Sequence, residues 1–404
     1  MSGRNQTAKA SAATMLSGIA LKKFQRPCTR PLRTAAMLAI TRVSTAAERP
    51  LRLFGPDARV DGEAAVFSAC DRLRRALPHF VVRELAPMIS WLERERRMDS
   101  KLPKPMPTEA GIVAFHGRCE AFYPADAVNA SVAQQRQWYD ALCAAFDASS
   151  PAGLTRQDEL LAGRIRVRRY RPAQIATETQ VFYIHGGGFV VGSLDSHDAI
   201  CAELAHGTGA EFVAIEYRLA PEHIWPAALE DCYAVLEALL AEGRPLVVAG
   251  DSAGGNLAAG VALKAKAVGL SGIVGQVLIY PLLGGDLASG SFVEMAEAPG
   301  LSTADVAYYR GILQAPPDEL FAHPLKAGDF AGLPPAYISA AHFDPLRDDA
   351  RQYAARLIEA GVDVTFREEP QMIHAWLRAR HMSPGAREGF AHLVHGLARL
   401  VGSA

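Results

Sequence analysis

The chain has 404 residues, half of them apolar, with 42 Lys and Arg set against 43 Asp and Glu. That length can bury a substantial core, and a net charge of −1 gives no electrostatic reason to expect nucleic acid or an acidic surface as partner. The six cysteines (Cys28, Cys70, Cys119, Cys143, Cys201, Cys232) are scattered without paired spacing, which points away from a disulfide framework or a zinc site, and no apolar run reaches the roughly 20 residues needed to span a bilayer.

Residues 1–47 carry eight Lys or Arg and no Asp or Glu among many Ala, Ser and Thr, a composition shared with organelle transit peptides. Residues 1–60 are read as a disordered or non-native extension. From 61 to 155 the pattern is that of a helical N-terminal or cap region. Residues 62–97 are amphipathic, with Phe67, Phe80, Val81, Leu85, Trp91 and Leu92 on the apolar face and interruptions at Pro78 and Pro87. That face suits packing against a catalytic domain or second subunit, with a lipid-facing or substrate-guiding role as the alternative. A further helix is expected over 131–146, including Trp138, Tyr139 and Phe146.

From 156 to 404 strand and helix patterns alternate. Strands are expected at 180–184, 211–217, 245–249, 275–280, 336–340 and 362–367, and helices at 196–206, 227–241, 256–268, 303–313 and 385–401. This rhythm predicts an α/β fold with a mostly parallel central sheet and helices on both faces. Residues 283–317 break it and are placed to form a lid beside the carboxyl edge of the sheet.

Two glycine-framed segments carry the chemistry: His185-Gly186-Gly187-Gly188 after the first of these strands, and Gly250-Asp251-Ser252-Ala253-Gly254-Gly255 after the third. The second reads as a nucleophile elbow, in which Gly250 and Gly254 allow the chain to double back so tightly that Ser252 Oγ stands proud. The following helix points its free N–H groups at the reaction centre, with Ala253 as the first oxyanion donor. The consecutive glycines of the first segment let backbone approach a substrate oxygen, with Gly186 and Gly187 as the expected donors; there is no Walker lysine or GxGxxG to support a phosphate loop. A serine nucleophile needs a base and a carboxylate to orient it. Six histidines follow Ser252 (His323, His342, His374, His381, His392, His395), and His374 is chosen because it sits on a loop between the last strand and the last helix. Asp344 closely follows the strand at 336–340, whereas Asp348 and Asp349 fall at a helix start, where acids commonly complement the dipole.

The chain here resembles the bacterial hormone-sensitive-lipase-like carboxylesterases of the α/β-hydrolase fold, over about residues 160–402. The matching segments are His185 to Gly188, Tyr217-Arg218-Leu219-Ala220-Pro221-Glu222-His223, Trp225-Pro226-Ala227-Ala228-Leu229-Glu230-Asp231, the elbow through Asn256, and Asp344-Pro345-Leu346-Arg347-Asp348. The resemblance implies Ser252 as nucleophile, Asp344 as orienting acid, His374 as base, and Gly186, Gly187 and Ala253 as oxyanion donors. It implies that His185, with Gly188 and Asp251, shapes the site without moving protons, and that the cap is built from the N-terminal region and the insertion. Relatives have glycine and an aromatic after the histidine, where this chain has Ala375 and Trp376; the pair is expected to tune the acyl pocket.

The expected activity is hydrolysis of short- to medium-chain acyl esters by two-step acyl transfer to water, without cofactor or metal. An amide-cleaving deacetylase or formamidase on the same scaffold is the nearest alternative, and a non-catalytic ligand receptor the more distant one. A small acyl ester is the expected partner, with no nucleic acid and no integral membrane segment; the location expected is cytoplasmic, and a homo-oligomer is compatible with the chain. With a histidine as base, a chemistry-limited rate rises with pH as that ring loses its proton; a rate flat from roughly pH 5 to 8 would overturn the assignment of the base.

Overall fold

The computed structural model describes residues 106–124 and 130–402, so the readings at 1–60 and 62–97 lie outside the described residues. Helices α1 (Ala110–Glu120) and α2 (Val132–Ala145) precede an eight-stranded sheet: β1 (Thr155–Leu161), β2 (Ile165–Arg171), β3 (Gln180–Ile184), β4 (Phe212–Ile215), β5 (Leu246–Asp251), β6 (Ile273–Ile279), β7 (Ala336–Phe343) and β8 (Val364–Ile373), ordered β1-β2-β4-β3-β5-β6-β7-β8. All neighbours from β4 to β8 pair in parallel, and β2 runs antiparallel to both β1 and β4. Interleaved with the strands are α3 (Asp198–Thr208), α4 (Ala227–Leu240), α5 (Ala253–Val268), α6 (Ser291–Glu294), α7 (Thr303–Leu313), α8 (Arg347–Glu359) and α9 (Pro384–Val401).

The central strands are apolar throughout because both faces are covered. Along β5, Leu246 and Val248 join a core with α4, α5 and α8, while Val247 and Ala249 join a second core with α3 and α9. β3 divides the same way, Phe182 and Ile184 to one side and Val181 and Tyr183 to the other.

The β1–β2 hairpin and helix α6 have no counterpart among the sequence expectations, and helix α1 lies within the expected helical region 61–155, which was given no internal bounds. The hairpin of β1 and β2 is rich in charge, and β1 is largely exposed. β2 buries Ile165, Val167 and Tyr170, and the exposed side of the ladder is supported by cross-strand ion pairs, Arg168 and Arg166 both meeting Asp158 at 2.6 and 2.8 Å. Charge on an edge strand also discourages pairing with another chain. Helix α1 is short and weakly patterned, and buries only Ile112 and Phe115.

The last strand ends six residues beyond the expected 367, running through Pro370 to Ile373. Proline is tolerated because β8 is the terminal strand of the sheet and needs a ladder on one side only. The extension matters: Phe343 pairs with Ile373, so the next residues of the two strands, Asp344 and His374, emerge side by side.

α9 lies very close to β7. A Cβ at Gly396 would stand 2.1 Å from Cδ2 of the buried Tyr337 ring, so no other residue fits without displacing it. Gly396→Ala is expected to destabilise the fold by about 1–3 kcal/mol through overpacking; thermal unfolding checks this as a Tm lowered by several degrees with turnover per folded molecule kept.

Candidate active site

β5 passes into α5 through Ser252, whose φ of 55° and ψ of −118° an L-residue rarely adopts. The surroundings enforce this strained turn. A Cβ on Gly254 would lie 1.9 Å from the Ile184 carbonyl oxygen, and one on Gly250 would lie 2.4 Å from the Gly254 backbone. Ser252 N–H donates to Ile279 O at 2.9 Å, tying the turn to the end of β6.

Of the six candidate histidines, His374 is the one hydrogen-bonded to Ser252: Nε2 stands 2.9 Å from Oγ, and Nδ1 stands 2.7 Å from Asp344 Oδ2. Asp344 is fully buried and its Oδ1 accepts from Leu346 N–H at 2.8 Å. A carboxylate can only accept, so the ring proton lies on Nδ1 and the Nε2 lone pair faces the serine. Such an arrangement can draw a proton from Oγ and return it to a leaving group. His342 instead meets Glu368, His381 meets Glu203, and His395 is on the surface of α9.

The first glycine of the loop after β3 does not fit its expected role. Gly186 N–H is buried and donates to Asp251 Oδ1 at 3.0 Å, so it is committed and cannot also bind an oxyanion. The N–H groups of Gly187, Gly188 and Ala253 have no acceptor among the described residues. Their aim follows from peptide planarity, because the C=O of one residue and the N–H of the next point in opposite directions. Gly186 O is held by His185 Nδ1 at 2.8 Å, which turns Gly187 N–H the other way. Gly187 O accepts from Val190 and Val191 N–H, both at 3.0 Å, which does the same for Gly188 N–H. Both glycines have positive φ, 123° and 60°, and a Cβ on Gly188 would meet the Tyr309 ring at 2.6 Å.

His185 is buried, stacked on Tyr217 with ring centroids 4.3 Å apart. Burial, with His197 nearby, drives its pKa down to about 3, so it is a neutral Nδ1 donor across any working pH. Asp251 is also buried and accepts from Tyr183 Oη at 2.9 Å, with His197 Nε2 at 3.3 Å. Burial pushes its carboxyl up, but His197, Arg378 and Tyr183 outweigh this and hold it well below the usual carboxylate range. Sequence reasoning missed Tyr183, His197 and Arg378. Tyr183 reads as one more apolar strand residue, and nothing local marks the other two. Among the described residues no group of three His, Cys, Asp or Glu side chains could hold a metal.

The profile of a family described as alpha/beta hydrolase fold matches residues 181–378. Esterase LipI of Mycobacterium tuberculosis is 40% identical over 243 residues, 56% of this chain and 75% of that protein. Carboxylesterase NlhH of the same organism is 40% identical over 249 residues, covering 58% and 78%. The chain belongs to the bacterial hormone-sensitive-lipase-like carboxylesterases. Among solved structures, this serine ester hydrolase is similar to the hyperthermophilic esterase of the archaeon Pyrobaculum calidifontis, with 30% identity, a TM-score of 0.67, and coverage of 74% of this chain and all of that one.

In this esterase Ala375 takes a left-handed conformation, φ 62°, at the position where relatives are expected to have glycine. Trp376 does not line the pocket as expected. It is fully buried beside Tyr280, with its ring edge against Gly389, and acts as core. Asp348 and Asp349 do more than face a helix dipole: Asp348 accepts from Ser291 N–H, and Asp349 Oδ2 accepts from Leu283 N–H at 2.7 Å and Gly285 N–H at 3.3 Å. They pin the start of the segment between β6 and β7.

Burial pushes the Asp349 carboxyl up to about 6. Folding therefore favours its protonated form, and the stability that form contributes is present at low pH and lost as pH rises through about 6. Asn keeps an acceptor without the buried charge. Asp349→Asn is expected to raise Tm relative to the wild type at about pH 8, with the difference shrinking at about pH 4.5; an unchanged or inverted difference in paired thermal scans would count against it.

Proposed function

We propose that this esterase cleaves short- to medium-chain acyl esters through Ser252 as nucleophile, His374 as general base and acid, and Asp344 as the group that orients and stabilises the imidazolium. Gly187, Gly188 and Ala253 donate to the oxyanion; Gly186, with His185 and Asp251, positions the loop. The observation that carries this reading is the chain of short contacts from Ser252 Oγ through His374 to buried Asp344, beside three N–H groups without partners among the described residues. In the first step Oγ attacks the ester carbonyl as Nε2 takes its proton, and the tetrahedral oxyanion is bound by the three amides. The imidazolium then protonates the departing alkoxide, and water repeats the sequence on the acyl-enzyme.

The chain-length range rests on what stands over the loop. Val190, Val191 and Ala220 form a small apolar cluster with Val132 and Tyr139 of α2 and Tyr309 and Ile312 of α7. Arg136 of α2 donates to Val190 O at 2.8 Å and Ala220 O at 3.0 Å, and pairs with Glu222. The described part of the N-terminal region and the insertion thus meet over Gly188 as a cap, and Tyr309 fills space that a long acyl chain would need. The four described cysteines are unpaired, which supports a reducing, cytoplasmic setting.

Two measurements test this. Ser252→Ala should lose at least about 10⁴-fold in kcat on p-nitrophenyl acetate, and residual turnover near wild type would remove the serine from the mechanism. Across p-nitrophenyl esters from acetate to palmitate, kcat/KM should fall beyond medium chains, and Tyr309→Ala should raise the long-to-short ratio by about tenfold. A maximum at palmitate in the wild type, or an anilide cleaved as fast as its matched ester, would replace the esterase range proposed here.

A further inference from the structure

Arg378 is a buried cation without a direct countercharge. Its side chain is nearly enclosed, yet among the described residues no carboxylate oxygen lies within 4.0 Å of its nitrogens. Its partners are Ser196 O at 2.7 Å, Tyr139 Oη at 3.1 Å and His197 Nε2 at 3.3 Å, with the guanidinium 5.5 Å from the Tyr139 ring centroid. The same Nε2 stands 3.3 Å from Asp251 Oδ1. The His197 ring therefore lies between a guanidinium and a carboxylate, its one Nε2 within 3.3 Å of both. A buried charge left uncompensated is strongly unfavourable, so Arg378 and Asp251 depend on each other across the ring.

The line continues to the reaction centre. Asp251 holds Gly186 N–H, the first peptide of the loop whose next two N–H groups face the cleft. At its other end the line reaches α2, because Tyr139 lies on that helix. Arg378 also shares a short segment with the base, four residues after His374, in the turn Trp376–Ala379. The one segment thus faces Ser252 in front through His374 and the back of the loop through Arg378.

We propose that Arg378 is a positioning residue for the oxyanion loop: through His197 and Asp251 it sets the plane of the Gly186 amide and the aim of Gly187 and Gly188, and through Tyr139 it makes that aim depend on how α2 is seated. The inference rests on the reading of Ser252, His374 and the three amide donors given above. A residue of this kind acts on the transition state more than on the bound substrate, so its loss appears in kcat and leaves KM nearly unchanged.

The test measures kcat and KM on p-nitrophenyl acetate, with thermal unfolding alongside, for the full-length wild type and for Arg378→Met, Arg378→Lys, Asp251→Asn, Tyr139→Phe and the double variant Asp251→Asn/Arg378→Met. Arg378→Met should lose about 10- to 100-fold in kcat, less than the loss of a whole oxyanion donor, with KM within about twofold. Arg378→Lys should recover part of that loss, Tyr139→Phe should lose a few-fold in kcat alone, and the double variant should be no slower than the worse single one. Losses that multiply in the double variant, or a KM that rises while kcat holds, would overturn the proposal. Should Arg378→Met not fold, Arg378→Lys and Tyr139→Phe carry the same kcat-against-KM test. Turnover surviving in Ser252→Ala would instead sink the underlying mechanism, whereas serine-dependent turnover with wild-type kcat in the Arg378 variants would sink this inference alone.

Discussion

The site depends on the parallel register of the sheet. Ile184 pairs with Gly250, Asp251 with Ile279, and Phe343 with Ile373, so five strands end towards one edge, with β7 running four residues past the Ile279–Ser339 pair. Parallel strands must be joined by crossovers, which carry the chain back and leave the strand ends free to present side chains. The glycine loop, the strained Ser252, Asp344 and His374 each begin at the first residue beyond a strand. None of these groups is placed by its sequence neighbours alone; they meet because the ladder stops where it does.

Around that edge the protein uses two kinds of constraint. Ser252 is held by sterics, its unfavourable backbone fixed by glycines at 250 and 254 that could not carry a side chain. The glycine loop after β3 is held by hydrogen bonds, with His185, Asp251, Val190 and Val191 each restraining one peptide group. Both devices leave N–H groups unpaired at the surface of the cleft, where burial in a low-dielectric setting would strengthen their pull on developing charge. The neutral state of His185 is part of this, because a second buried cation beside His197 and Arg378 would be unfavourable.

Much of this was legible in the chain. β3 and α7 were read to the residue, since one is an apolar run bounded by turn signals and the other an amphipathic helix opened by the Ser302 capping box. The elbow and the two later strand ends pointed to Ser252, Asp344 and His374, because that geometry leaves a local signature. The hairpin at 155–171 was missed because β1 is largely exposed and the apolar alternation of β2, Ile165 and Val167, is short and buried among arginines that pair with acids across the ladder. Gly186 was misassigned for a subtler reason: a run of three glycines says that backbone comes close to something, but the direction of each peptide is set by partners such as Asp251 and His185 that only the fold brings near. His197 and Arg378 belong to the same class, polar side chains whose partners are far along the chain.

The spacing of these groups along the chain has a bearing on synthesis. Ser252 and His374 are 122 residues apart, and His374 is 30 residues beyond Asp344. The β7 and β8 pairing that sets Asp344 beside His374 joins the last two strands of the chain, and the β6 and β7 pairing before it closes over the long excursion between those strands. Contacts of such high sequence separation form late and slowly. On the proposed roles, a chain emerging from the ribosome carries Ser252 and the glycine loop well before His374, and the serine gains its base only once β8 is docked.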